Sequence, residues 1–175
     1  QAGRARVQML PIGVAGLITP WNTPFMLESW KLGPALATGN TVVLKPAEFT
    51  PLSASLWAEI FEEAGLPQGV FNLVNGLGED AGDALVKHPD VPLISFTGES
   101  RTGQIIFGNA APYLKGLSME LGGKSPAVVF ADAALESAVD APIFGVFSPN
   151  GERRTAGPRI LVERSIYEEF VERYA

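Results

Sequence analysis

The stretch Met119-Glu120-Leu121-Gly122-Gly123-Lys124-Ser125-Pro126 sets a lone carboxylate beside a pair of glycines, between two apolar runs. Glycine has no Cβ, so backbone can approach a bound molecule closely, and a carboxylate held beside such a place can take a proton as a general base. The same residues also fit a charged position at a strand end before a turn. A second carboxylate, Glu48, stands in Lys45-Pro46-Ala47-Glu48, just past a β-branched run. There it can accept both ribose hydroxyls of a dinucleotide and repel a 2′-phosphate, favouring NAD over NADP; an exposed Lys and Glu in a loop is the alternative.

Two glycine-bearing turns follow strands and open helices. Gly76-Leu77-Gly78-Glu79-Asp80-Ala81-Gly82 misses the G-x-G-x-x-G spacing by one residue and reads as a turn that lets backbone pack or approach a flat ligand. In Phe96-Thr97-Gly98-Glu99-Ser100-Arg101-Thr102-Gly103, backbone N–H groups at a helix N-terminus can hold a pyrophosphate, and Gly98 lets it come close. The only histidine, His88 in Lys87-His88-Pro89-Asp90, reads as a solvated residue at a helix end. One histidine and no cysteine make neither a Ser-His-Asp relay nor a zinc site, so no metal is expected.

The elements that must position these residues alternate regularly. Strands are expected at Val14–Ile18, Thr41–Leu44, Val70–Val74 and Leu93–Phe96, with helices near 25–38, 50–65, 81–87 and 101–111 between and after them. Pro51 sits at the first turn of the second helix, and Gly39-Asn40 stops the first. After the glycine pair come a strand at 127–130, a helix from Leu135 toward Phe147 with Asp132 as its cap, a strand at Arg159–Val162 and a helix at Ile166–Tyr174. This predicts an α/β fold: a Rossmann-like doubly wound parallel sheet with helices on both faces, over residues 1–120, then the opening part of a second α/β domain over 121–175. Ligands of such sheets sit beyond the carboxyl ends of the strands, where Asn22, Lys45, Glu48 and Gly98 fall. The sequence stops at Ala175 inside a helical pattern, so a truncated chain is expected.

With 175 residues, 46% of them apolar and 18% charged, the chain can bury a core. A net charge of -6 disfavours nucleic acid or an anionic membrane as partner. No apolar run reaches the roughly 18 residues of a membrane span. Without cysteine there are no disulfides, and a cytoplasmic setting is expected.

Taken in order, Pro20-Trp21-Asn22-Thr23-Pro24, Lys45-Pro46-Ala47-Glu48 with Thr50-Pro51-Leu52-Ser53-Ala54, Phe96-Thr97-Gly98 with Gly103, Glu120 through Pro126, and Asn150-Gly151-Glu152-Arg153 resemble the aldehyde dehydrogenase superfamily. The wording at 96–103 and 150–155 is most similar to its hydroxymuconic semialdehyde dehydrogenase branch, and the resemblance covers essentially the whole chain. It implies a coenzyme-binding portion joined to the start of a catalytic domain. In that family a cysteine thiolate attacks the aldehyde, hydride passes to a nicotinamide, and a glutamate activates water.

Carried onto this sequence, the resemblance makes Asn22 a donor to the oxyanion, Glu120 the general base and Lys31 an aid to proton release. Lys45 and Glu48 would hold the adenosine ribose, Gly98 and Glu99 the pyrophosphate, and Trp21 the nicotinamide end, with Thr19, Gly78 and Gly122 completing the NAD set. Two departures stand out. Glu99 replaces a small hydroxyl residue common in the family, and Arg154 occupies the cysteine position, flanked by Pro149 and Pro158. Arginine stays protonated and cannot attack a carbonyl. The expected partners are NAD and an aldehyde, with self-association through exposed apolar surface, but the chain alone is expected not to turn over. A noncatalytic dinucleotide-binding or structural module is the alternative.

Overall fold

The computed structural model describes residues 5–148, 151–152 and 159–175. The chain divides into two compact units, Gln1–Leu121 and Gly122–Ala175. Arg154 lies outside the described residues, as do Pro149, Asn150, Arg153 and Pro158.

The first unit runs β1 (Val14–Ile18), α1 (Pro24–Ala37), β2 (Thr41–Lys45), α2 (Pro51–Glu63), β3 (Phe71–Leu73), a π-helical turn at Gly78–Gly82, α3 (Asp83–Lys87), β4 (Leu93–Gly98), α4 (Ser100–Ala110) and β5 (Gly116–Leu121). Its sheet is parallel throughout, ordered β3-β2-β1-β4-β5. Order reverses between β1 and β4, because the chain winds outward to β3 and then crosses back to the other side of β1. Such a reversal leaves a crevice at the carboxyl ends of the two strands, since their following loops turn apart.

Side-chain alternation divides the sheet cleanly into two faces. Ala15, Leu17, Val42 and Leu44 pack with Leu32 of α1 and Ala54 of α2. Ile18, Ile94 and Phe96 pack on the opposite face with Leu85 and Val86 of α3 and Ile106 and Ala110 of α4, joined there by Val43, Leu117, Met119 and Leu121. The doubly wound arrangement expected from the alternation of elements is therefore present. At the helix entrances, Pro24 and Pro51 occupy first-turn positions, where a missing N–H leaves no helical bond unmade.

The loop joining α1 to β2 shows how a polar side chain fixes chain entry. Gly39 adopts φ +82, the left-handed conformation that ends a helix at no steric cost. Asn40 then donates to the carbonyl of Ala35 and to Thr38 Oγ1, while its Oδ1 accepts the N–H groups of Ile12 and Gly13. One amide thus seats both the end of α1 and the approach to β1. Further along, His88 follows α3 as its exposed C-cap residue.

In the second unit, β6 (Pro126–Val129) pairs in parallel with β7 (Arg159–Val162), and α5 (Leu135–Phe147) and α6 (Tyr167–Tyr174) bury Val129, Val139 and Phe170 together. Asp132 does not cap α5. The capping position is Ala134, with no side-chain hydrogen bond. The chain turns before it, between Phe130 and Ala133, and Asp132 belongs to that turn.

Candidate functional site

The loop from Thr19 to Thr23 leaves the central strand β1 at the reversal of strand order. Thr19 donates its backbone N–H to the Lys45 carbonyl at 3.2 Å, fastening the ends of β1 and β2 together. Its hydroxyl is buried and without a hydrogen-bond partner. Trp21 is 46% exposed, and Asn22 is half-buried in the bend just before Pro24 starts α1.

At the end of β2, Lys45 is 3% exposed, with its ammonium 3.4 Å from Glu48 Oε2. Glu48 stays partly open to water, so the pair itself stabilises the fold by only about 0–1 kcal/mol. A carboxylate offers about four lone-pair positions, and one contact leaves most of them available to a diol. Burying the cation while leaving the anion accessible fits an acceptor meant for something outside the fold.

Gly98 closes β4. A Cβ there would lie 2.5 Å from Phe96 Cζ, and Phe96 belongs to the core, so only glycine leaves both ring and turn in place. Glu99 is the exposed N-cap residue of α4; its carbonyl accepts the Gly103 N–H at 3.0 Å and its side chain makes no cap bond. Gly103 brings α4 close to β5, because a Cβ would meet Leu121 Cδ2 at 2.6 Å. Gly78 opens the π-helical turn where an added Cβ would meet nothing, so its backbone faces open space. Gly122 is exposed at the start of the second unit.

Glu120 sits next to last in β5, in register with Thr97 of β4. Strand alternation turns Leu117, Met119 and Leu121 into the α3/α4 core and leaves Ser118 and Glu120 on the exposed, opposite side. Both readings of this carboxylate, a strand-end charge and an accessible base, are thus compatible with its position. The α1/α2 face, apolar over β1 and β2, becomes polar over β4 and β5 through Ser95, Thr97, Ser118 and Glu120. Lys31 of α1 is 7% exposed and donates to Ser95 Oγ at 2.8 Å on that face.

Ser95 was not singled out by the sequence and Thr97 only as part of a motif without a role of its own, although a polar residue interrupting Leu93-Ile94-Ser95-Phe96 was a signal. Glu28 is another. It is fully buried in α1, where Oε2 accepts the Trp57 indole N–H at 2.9 Å and Oε1 has no hydrogen-bond partner. Burial pushes its carboxyl above the ordinary range, partly opposed by the Trp57 bond. Among the described residues, no group of three or more metal-ligating side chains occurs and no helix is long and apolar enough to cross a membrane.

The aldehyde dehydrogenase family model matches residues 1–175. A 2-aminomuconic semialdehyde dehydrogenase from Danio rerio is 54% identical over 164 residues, which is 94% of this chain and 34% of the relative. A 5-carboxymethyl-2-hydroxymuconate semialdehyde dehydrogenase from Escherichia coli is 55% identical over 161 residues, 92% of this chain and 34% of the relative. Among solved structures, HpcC from Thermus thermophilus superposes with a TM-score of 0.91 at 62% identity, covering 94% of this chain and 32% of that one. Betaine aldehyde dehydrogenase from Staphylococcus aureus in complex with NAD+ gives 0.91 at 45% identity, covering 94% and 32%. The chain spans about a third of the length of the relatives it matches. With its whole length matched by the family model and its fold shared with solved members, this chain belongs to the aldehyde dehydrogenase family.

Proposed function

We propose that this chain is the dinucleotide-holding and base-bearing portion of an NAD-dependent semialdehyde dehydrogenase, and that with arginine at position 154 it does not by itself oxidise an aldehyde. The observation that carries the reading is the buried Lys45 ammonium beside the accessible Glu48 carboxylate at the end of β2. Glu48 accepts the adenosine ribose hydroxyls and Lys45 holds it in place. The Thr19 hydroxyl without a partner and the open Gly78 backbone leave hydrogen-bonding capacity and room beyond the carboxyl ends of β1 and β3, while Gly98 lets the Phe96 ring and the turn after β4 keep their places. NAD, when bound, supplies a hydride acceptor.

The chain's own residues do the rest. Trp21 lines the nicotinamide end, and Asn22 donates its side-chain amide to the carbonyl oxygen of an aldehyde. Glu120 takes a proton from water on the exposed side of β5, with Lys31 assisting release. The α4 entrance at Glu99 completes the cofactor surface of the first unit, and the Glu99 carboxylate weakens it for a phosphate group by like-charge repulsion. Arg154, a permanent cation, supplies no nucleophile.

Titration of the purified chain with NADH, followed by fluorescence, is expected to saturate and to weaken roughly tenfold in Glu48→Ala, since loss of one charge-assisted contact is worth about 1.4 kcal/mol. The same preparation is expected to form no NADH from NAD and a semialdehyde. Saturable binding that Glu48→Ala leaves untouched removes the assignment of the groove. Absence of binding favours the second reading, a purely structural module, and robust turnover overturns the inactivity.

A further inference from the structure

We propose that Ser95 is a positioning residue that anchors the Lys31 ammonium over the sheet at a fixed offset from Glu120. The inference rests on the reading of Glu120 as the base and adds a residue to it. Lysine is almost never buried without a partner, yet Lys31 sits with Leu27, Glu28 and Leu32 on the inward side of α1. Its long stem spans from helix to sheet, and Ser95 Oγ receives its ammonium at 2.8 Å.

The side chain at this point of β4 matters for a geometric reason. Leu93, two residues earlier on the same face, packs against the apolar cluster under α1 and α2. Thr97, two residues later, pairs in register with Glu120. Ser95 is therefore where the face turns polar, and an alkyl side chain there would extend the apolar wall under a charged group. Serine is also short, so the ammonium stops close to the sheet surface.

Strand spacing fixes the offset. Two residues along β4 are about 6.6 Å, and the step to the neighbouring strand is about 4.8 Å. The backbone at Glu120 therefore lies roughly 8 Å diagonally from that at Ser95. Lysine has a flexible four-carbon stem, and an unanchored ammonium would sample many positions. The Ser95 hydroxyl gives the ammonium a fixed contact on the sheet, which holds the direction of the field that Lys31 exerts at Glu120.

The test uses 15N-labelled protein and the lysine ammonium correlation spectrum, with the Lys31 signal assigned by its loss in Lys31→Gln. The parent chain should give a Lys31 signal protected from exchange with water. Ser95→Ala should accelerate that exchange at least tenfold or remove the signal, and Ser95→Thr, which keeps the hydroxyl, should restore protection. Glu120→Gln should move the Lys31 resonance while leaving its protection in place. Should Ser95→Ala fail to fold by thermal unfolding, Ser95→Cys keeps the volume with a far weaker acceptor and gives the same comparison. Protection retained in the folded Ala or Cys variant overturns the anchor, and an unmoved resonance in Glu120→Gln overturns the link to Glu120. NADH titration of Ser95→Ala separates the two levels: it should match the parent, and a parent that binds no NADH removes the dinucleotide function without touching the anchor.

Discussion

Gly16→Val is expected to lower the unfolding free energy of the first unit by about 3 kcal/mol, at the upper end of the usual cost of overpacking a core. Gly16 lies in the central strand β1, in register with Val43 on one side and Ile94 on the other. A Cβ at this position would stand 2.7 Å from Ile94 Cδ1 and 3.2 Å from both Leu85 Cγ and Val91 Cγ1. Ile94 is completely buried, so its methyl group cannot retreat into solvent, and a close-packed interior transmits the displacement to α3. Valine adds two further methyl groups to the same space. Gly16→Ala should cost less, because one methyl can be met by a shift of Ile94 and because alanine reduces the entropy of the unfolded chain. Urea unfolding checks the order: the midpoint should fall for alanine and further for valine with the slope unchanged. A valine variant as stable as the parent would mean that α3 does not pack on β1 as described.

Glu28→Gln is expected to stabilise the fold relative to the parent as pH rises above the ordinary glutamate range, where the parent must ionise a buried carboxyl. Glutamine retains an oxygen for the Trp57 indole N–H and removes the charge that burial disfavours. The pH dependence follows from the direction of the shift. The folded-state carboxyl binds its proton more tightly than the unfolded one, whose reference value is 4.5. Below that value both states are protonated and Glu28 costs nothing through ionisation. As pH rises above it the unfolded state ionises first, so stability falls until the folded carboxyl also ionises, and is flat beyond. Glu28→Gln should abolish this decline. Trp57→Phe should do the opposite, lowering stability by roughly 1.5–3 kcal/mol where Glu28 is charged, because it removes a donor to a buried carboxylate. Thermal unfolding across pH 4 to 8 reads all three proteins. A parent curve as flat as that of Glu28→Gln would mean that Glu28 is solvated.

How much of this was legible in the sequence depends on the scale of the cause. The apolar run at 14–18, the β-branched run at 41–44 and the proline entrances at 24 and 51 are local signals that agree with the final elements. The parallel, doubly wound arrangement followed from their alternation. Strand β5 was legible only as a charge near a turn, since an edge strand with Ser118 and Glu120 on its exposed side has half the apolar pattern of a central one. Asp132 misled because its residue type suits a cap, whereas the turn after Phe130 places the helix start at Leu135. The candidate residues Asn22, Lys45, Glu48, Gly98 and Glu120 were marked by motif, and the parallel sheet of the first unit sets them at or just past the carboxyl ends of β1, β2, β4 and β5. What joins them was not marked. The Lys31–Ser95 and Glu28–Trp57 contacts link residues 64 and 29 apart, and Gly16 is demanded by side chains 69 to 78 residues later. Such pairings exist only after the strands have found their order.

Four rings continue this theme from α1 to the sheet edge. Phe25 stacks on Trp57 with centroids 4.3 Å apart and 4° between planes, Trp57 on Phe61 at 5.5 Å, and Phe61 meets Phe71 of β3 at 5.0 Å. The chain's other two tryptophans, Trp21 and Trp30, are exposed. The protein therefore carries two kinds of intrinsic optical probe: a pair of indoles emitting from water, and a third emitting from between aromatic faces beside a carboxyl. The red part of its emission reports on the loop after β1 through Trp21 and on the outer side of α1 through Trp30, and the blue part reports whether the first two helices remain together.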